Sequence, residues 1–152
     1  MAFHHSGGGN QDRDRALRPR RRGECVNERI LVADDDQEIA ELTRTILERA
    51  GYRVRCSSSA GEALSVILAE LPDLLLLDVN MPEMDGWELL RLLKVEDATK
   101  QLPVVMFSIK MEVRDKVHAL QEGAYDYITK PFSYNELLER VRRIFADLEV
   151  RR

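Results

Sequence analysis

The sequence predicts an α/β protein: a single (βα)5 domain whose five-stranded parallel sheet carries helices on both faces. Three observations point there. Residues 74–77 are four consecutive leucines that stop on Asp78, and an apolar run without polar alternation marks a strand buried on both faces. Short apolar runs alternate with segments of helical periodicity across short connections, a series that closes with right-handed crossovers onto a parallel sheet. The patterned part covers residues 28–148 of 152, enough chain to bury one core without disulfides. The expected division is a basic, disordered arm over 1–27, a domain over 28–148 and a tail over 149–152.

The first strand, residues 29–33, ends on Asp34-Asp-Asp36. Residues 37–50 read as a helix with Ile39, Leu42, Ile46, Leu47 and Ala50 on one stripe, stopped by Gly51. Residues 52–56 alternate like a half-buried edge strand. Ser59 caps a second helix whose stripe is Ala63, Leu64, Ile67, Leu68 and Leu71, with Pro72 beyond it. The leucine strand follows, then a helix over 87–95 and a fourth strand over 102–107. Val113, Val117 and Leu120 mark a helix ending near Gly123, and residues 125–128 form the fifth strand. Ser133 and Glu136 make a capping box for a last helix with Leu137, Leu138, Val141, Ile144, Phe145 and Leu148 inward.

With 44% hydrophobic and 33% charged residues, the composition is that of an ordinary globular protein. The net charge of −4 hides an asymmetry. Residues 1–27 carry six arginines against Asp12, Asp14 and Glu24, a net of +3, which leaves −4 − 3 = −7 for the rest. An acidic domain is no nucleic-acid-binding core. Only the arm has the charge for a phosphate backbone or an anionic membrane, and the plainer alternative is a solvated leader. Cys25 and Cys56 match no metal-ligand spacing, so no disulfide or metal site is expected of them. No apolar stretch approaches the ~18 residues of a membrane helix, and no signal-peptide segment opens the chain. The expected compartment is the cytoplasm.

Polar residues stand at strand ends where apolar ones would continue: Asp34 and Asp35 after the first, Asp78 after the third, Ser108 after the fourth, and Lys130 just past the fifth. In open α/β sheets that edge is where ligands bind. Clustered carboxylates repel unless a cation or proton compensates. An all-oxygen set suits Mg²⁺, which keeps several waters and is completed by phosphate. A lysine and a hydroxyl add donors for phosphoryl oxygens, and an aspartate can act as nucleophile to form an aspartyl phosphate. Singly, each residue has a plainer role: Asp34-Asp-Asp36 as a helix start, Ser108 as a cap, Lys130 as a surface charge, Asp85-Gly86 as a turn. Together they point to phosphoryl transfer.

These residues resemble the receiver domain of two-component response regulators, the CheY-like family, over residues 29–148. The resemblance is carried by the acidic pair after the first strand, the Asp78-Val-Asn-Met-Pro-Glu-Met-Asp-Gly86 loop, the hydroxyl after the fourth strand, and Lys130-Pro-Phe132. It implies a flavodoxin-like fold with strand order 2-1-3-4-5, an order that comes with the family and not from the spacing. It implies Asp78 as phosphoacceptor, with Asp34, Asp35, Asp78 and the backbone carbonyl of Asn80 binding Mg²⁺. Ser108 and Tyr127 are implied as the switch pair and Lys130 as the phosphate contact. The implied donor is a histidine kinase or phosphotransfer protein, and the output partner stays unspecified. Residues 123–140 further resemble the OmpR/PhoB-like winged-helix subgroup, although no DNA-binding domain lies within these 152 residues. A stand-alone receiver and a piece of a longer regulator are both open.

That subgroup dimerises through charge pairs on its last helix-strand-helix face. Here Lys116 with Glu136 and Asp126 with Arg140 fit two such pairs, while Tyr125 and Asp147 stand where a third is expected. Ile109 departs from the small residue usual after the switch hydroxyl: it either narrows the site's mouth or points away. Removing Asp34 or Asp35 is expected to weaken Mg²⁺ binding and relieve repulsion. Competing readings are an Asp-nucleophile phosphohydrolase, which wants an acid where Asn80 stands, and a flavin-binding relative, whose phosphate loop the acids after the first strand would repel. A degenerate, docking-only receiver is the third, against which all five site residues argue.

Overall fold

A computed structural model describes residues 27–109 and 113–151, with the side chains of Val113 and Arg151 left aside. The expectations for the arm over 1–26, for Lys110 and for Arg152 lie outside the described residues. Five strands and five helices alternate: β1 (Arg29–Ala33), α1 (Gln37–Arg49), β2 (Arg53–Ser57), α2 (Ala60–Ala69), β3 (Leu74–Asp78), α3 (Gly86–Val95), β4 (Val104–Ser108), α4 (Val113–Gln121), β5 (Asp126–Thr129) and α5 (Tyr134–Arg151). The strands form one parallel sheet in the order β2-β1-β3-β4-β5. This is the expected α/β, flavodoxin-like architecture.

β1, β3 and β4 are central, so their side chains are covered on both faces. Leu31, Ala33, Leu75, Leu77, Val104 and Met106 face α2, α3 and α4. Ile30, Val32, Leu74, Leu76, Val105 and Phe107 face α1 and α5. The pleat thus divides each run residue by residue between two cores, which explains why the leucine run shows no polar alternation. The order reverses direction at β1 and β3, and in open α/β sheets ligands bind in the cleft at that point, outside the strands' carboxyl ends.

Helix starts follow their caps. Asp36 accepts from the N–H groups of Glu38 and Ile39, Ser59 from Glu62, Asp85 from Glu88, and Ser133 from Glu136. Stops at Gly51 and Gly123 use φ values of 100° and 102°, open to glycine without a Cβ clash.

Three apolar stripes differ from expectation. α1 buries Ala40, Thr43, Ile46 and Leu47 and leaves Leu42 exposed. α2 buries Ala60, Ala63, Val66 and Ile67, while Leu68 and Leu71 face solvent. In α4 Ala119 is buried, whereas Val117 and Leu120 are exposed. Helices that lie close on a sheet put small residues at the contact, and each helix is turned accordingly. α5 runs to Arg151, so residues 149–151 are helical and not the separate tail expected. Nothing in Glu149-Val-Arg151 breaks a helix.

Candidate phosphoacceptor site

Each site residue reaches the cleft because its strand ends there. β1 delivers Asp34, which is almost fully buried, and the exposed Asp35. Asp36 turns away to cap α1, so the acidic triplet divides into two site residues and one cap. Asp34 Oδ1 accepts the Asp36 N–H at 2.9 Å, and its Oδ2 takes the Lys130 ammonium at 2.6 Å. β3 delivers Asp78, 6% exposed, whose Oδ1 lies 3.4 Å from Lys130 Nζ and accepts the Asn80 N–H at 3.3 Å.

Carboxylate oxygens of Asp34, Asp35 and Asp78 all lie within 4.8 Å of one another. Against three carboxylates stands one buried ammonium, so the formal charge is −3 + 1 = −2. The Asp78 carboxyl is pushed up from 3.8 to about 6, first by burial, then by the charge of Asp34; Lys130 and the Asn80 N–H oppose the rise. A concentrated oxygen set with uncompensated negative charge fits a hard divalent cation such as Mg²⁺.

β4 ends on Ser108, buried beside the site, and its carbonyl accepts the Lys130 N–H at 2.7 Å. Tyr127, on β5 next to it, is buried and shares a side-chain hydrogen bond with Ser108. Burial raises the Tyr127 phenol above its ordinary value; Ser108 opposes the rise and the charge of Asp115 on α4 adds to it. Ile109 is 70% exposed at the end of β4. Trp87 lies against the core beneath α2–α4.

Lys130 is placed by the β5–α5 connection, where the Lys130–Pro131 peptide is cis. Phe132 seats that connection by packing against Phe107, ring centroids 5.4 Å apart. Opposite, the β3–α3 loop is locked by Gly86, whose N–H donates to the Val79 carbonyl at 2.9 Å. A Cβ at position 86 would stand 2.3 Å from the Asp78 carbonyl oxygen and 3.0 Å from Val79 Cα. From sequence Asp85-Gly86 reads only as a turn and cap. The close backbone approach is a long-range fact that the dipeptide does not encode.

The expected dimer-face residues are placed differently from the site. Asp126 and Arg140 form an ion pair within the chain at 2.7 Å, and Arg140 also reaches the Tyr127 carbonyl at 3.4 Å. Lys116 on α4 and Glu136 on α5 are exposed.

Residues 30–142 match the response regulator receiver domain family. The chain belongs to that family. It is 42% identical over 125 residues to the alkaline phosphatase synthesis transcriptional regulatory protein PhoP of Bacillus subtilis, covering 82% of this chain and 51% of that one. It is 40% identical over 119 residues to the phosphate regulon transcriptional regulatory protein PhoB of Pseudomonas aeruginosa, covering 78% and 52% respectively. The receiver thus spans about half the length of the curated relatives it matches. Among solved structures, the Francisella response regulator 1452 receiver domain superposes with a TM-score of 0.75 at 34% identity, over 80% of this chain and 99% of that one. The chemotaxis response regulator CheY4 of Vibrio cholerae gives 0.74 at 28% identity, over 78% and 99%. No helix among the described residues of this receiver is long and apolar enough to cross a membrane.

Proposed function

We propose that the receiver accepts a phosphoryl group on Asp78 and passes the change to an output partner through Ser108 and Tyr127. One observation carries this: Asp78 is a buried carboxylate held within reach of two further carboxylates and a buried lysine. Asp34, Asp35, Asp78 and the Asn80 carbonyl would hold Mg²⁺, which when bound supplies charge neutralisation for the phosphoryl oxygens. An ionised Asp78 oxygen attacks phosphorus, the donor's bond to phosphorus breaks, and an acyl phosphate forms on the side chain. Lys130 places its ammonium on one phosphoryl oxygen and the Ser108 hydroxyl donates to another. Leaving Tyr127 for the phosphoryl group would cost Ser108 its present partner, which makes the Ser108–Tyr127 bond a reporter of the state.

The donor is a histidine kinase or a phosphotransfer protein, and the chain is a signalling domain and not a turnover enzyme. Asn80, where an Asp-nucleophile phosphohydrolase would use an acid, supports this over the hydrolase reading. Convergence of all five residues supports an active receiver over a docking-only one. Phosphorylation promotes a homodimer through α4, β5 and α5, where Lys116, Val117, Leu120 and Glu136 stand exposed and Asp126 pairs with Arg140. The receiver itself contacts neither nucleic acid nor membrane, and it works in the cytoplasm. Incubation with acetyl phosphate and Mg²⁺ tests the acceptor. The expected result is one base-labile mass increase that chelation and Asp78→Asn both abolish; undiminished labelling of that variant would move the acceptor elsewhere.

A further inference from the structure

Trp87 and His118 lie outside the cluster of acids, yet an unbroken set of close contacts joins them to it. Gly86 rests its Cα on the Asp78–Val79 peptide, too close for any side chain at that position. Trp87, the next residue and the chain's single tryptophan, meets the His118 ring edge-on, with centroids 4.5 Å apart and planes at 63°. Further along the same helix, Arg91 Nε lies 3.4 Å from Glu122 Oε2. Glu122 Oε1 in turn is 3.9 Å from His118 Nε2. Residues four apart share a helix face, so Trp87 with Arg91 on α3 faces His118 on α4 and Glu122 just past its end, as two rungs of one ladder.

α4 also packs on β5. Among its described side chains Ala119 is buried, while Val117 and Leu120 are 44% and 46% exposed. Described side chains that bury so little apolar surface give a helix low local stability, so one well-packed ring pair weighs in where it sits. The charge of Asp115 on α4 also acts on the Tyr127 phenol.

We propose that Trp87 and His118 are positioning residues that tie α4 to the Asp78–Gly86 segment, coupling occupancy of the acid cluster to the placement of α4 through α3. The functional consequence rests on Asp78 being the acceptor; the mechanical tie does not. The coupling is reciprocal: whatever loosens α4 alters the affinity of the site, and by the same factor.

The test uses the full chain as wild type, His118→Ala, Trp87→Leu and the double variant, titrated with beryllofluoride in the presence of Mg²⁺. An edge-to-face ring pair changes an equilibrium about two- to tenfold. Each single variant is therefore expected to shift the apparent beryllofluoride affinity by a factor in that range, and the double variant by no more than either. Without beryllofluoride, amide exchange in His118→Ala is expected to quicken in both residues 113–121 and residues 79–86. Unchanged affinities, additive shifts, or faster exchange confined to α4 would overturn the proposal. A wild type that binds no beryllofluoride refutes the Asp78 reading instead, and the exchange comparison still decides the tie. His118 is 45% exposed at its side chain, so its variant carries the test even if Trp87→Leu does not fold.

Discussion

Asp78→Asn should make the metal-free protein more stable, and by an amount that depends on pH. The Asp78 carboxyl stands at about 6 against an ordinary 3.8, raised by burial and by Asp34. Ionising it in the folded protein therefore costs ~3 kcal/mol more than in the unfolded chain, at 1.36 kcal/mol for each tenfold change in proton affinity. The sign is that of an acid with a raised folded value: the penalty is absent below about pH 4, grows between the two values, and is complete above about pH 6. Asparagine keeps the shape and removes the charge. The variant's advantage is expected to be roughly 2–3 kcal/mol at pH 7.5 and to shrink to about half at pH 5. In a domain of this size that is on the order of 5–10 °C in melting temperature at pH 7.5. Urea unfolding of both proteins in EDTA, at pH 7.5 and pH 5, measures the gap directly. Adding Mg²⁺ should close it, since a ligand at a hundred times its Kd stabilises the wild type alone by about 2.7 kcal/mol. A gap that is the same at both pH values, or a wild type that is the more stable at pH 7.5 without metal, would refute the reasoning.

Asp35→Ala and Asp34→Ala should both weaken Mg²⁺ binding in a titration followed by Trp87 fluorescence, yet differ in stability. Asp35 is exposed and its loss relieves repulsion, whereas Asp34 holds Lys130 at 2.6 Å and its loss leaves the buried ammonium with Asp78 at 3.4 Å, so the repulsion relieved is offset by the ion pair lost. Equal melting temperatures for the two metal-free variants would contradict that assignment. Ile109→Ala should shorten the life of the aspartyl phosphate after donor removal, because in-line approach of water governs hydrolysis; identical decay would show that Ile109 points away from the site. Light scattering with beryllofluoride and Mg²⁺ should show a doubled mass that Arg140→Glu reduces. A monomer at high concentration in both states would exclude the dimer.

Strand ends were the legible part of this sequence. A run such as Leu74–Leu77 needs two covered faces whatever surrounds it, and a polar residue that stops such a run has to stand at a sheet edge. Asp34, Asp78 and Ser108 are therefore locatable from the sequence alone. Helix rotation was less legible. α1 and α2 carry leucines on more than one face, so Leu42, Leu68 and Leu71 pulled the expected stripe off the true one, which is centred on Ala40, Thr43, Ala60 and Ala63. What decides there is how near the helix can lie to the sheet, a property of the partner surface. Pairings such as Trp87 with His118 were invisible for the same reason: they join residues thirty-one positions apart on neighbouring helices.

β2 forms one border of the sheet and presents Arg53 and Arg55 there, both only half-buried. An open border is a template on which a second chain can extend the sheet, and charged side chains are a common guard against it. Two copies meeting β2 to β2 would bring guanidinium groups close together along the seam, where like charges directly opposite are unfavourable. Runaway strand-to-strand growth is thereby discouraged at that margin. That border is therefore a poor seam for self-association, and the opposite one, β5, carries no such pair of arginines.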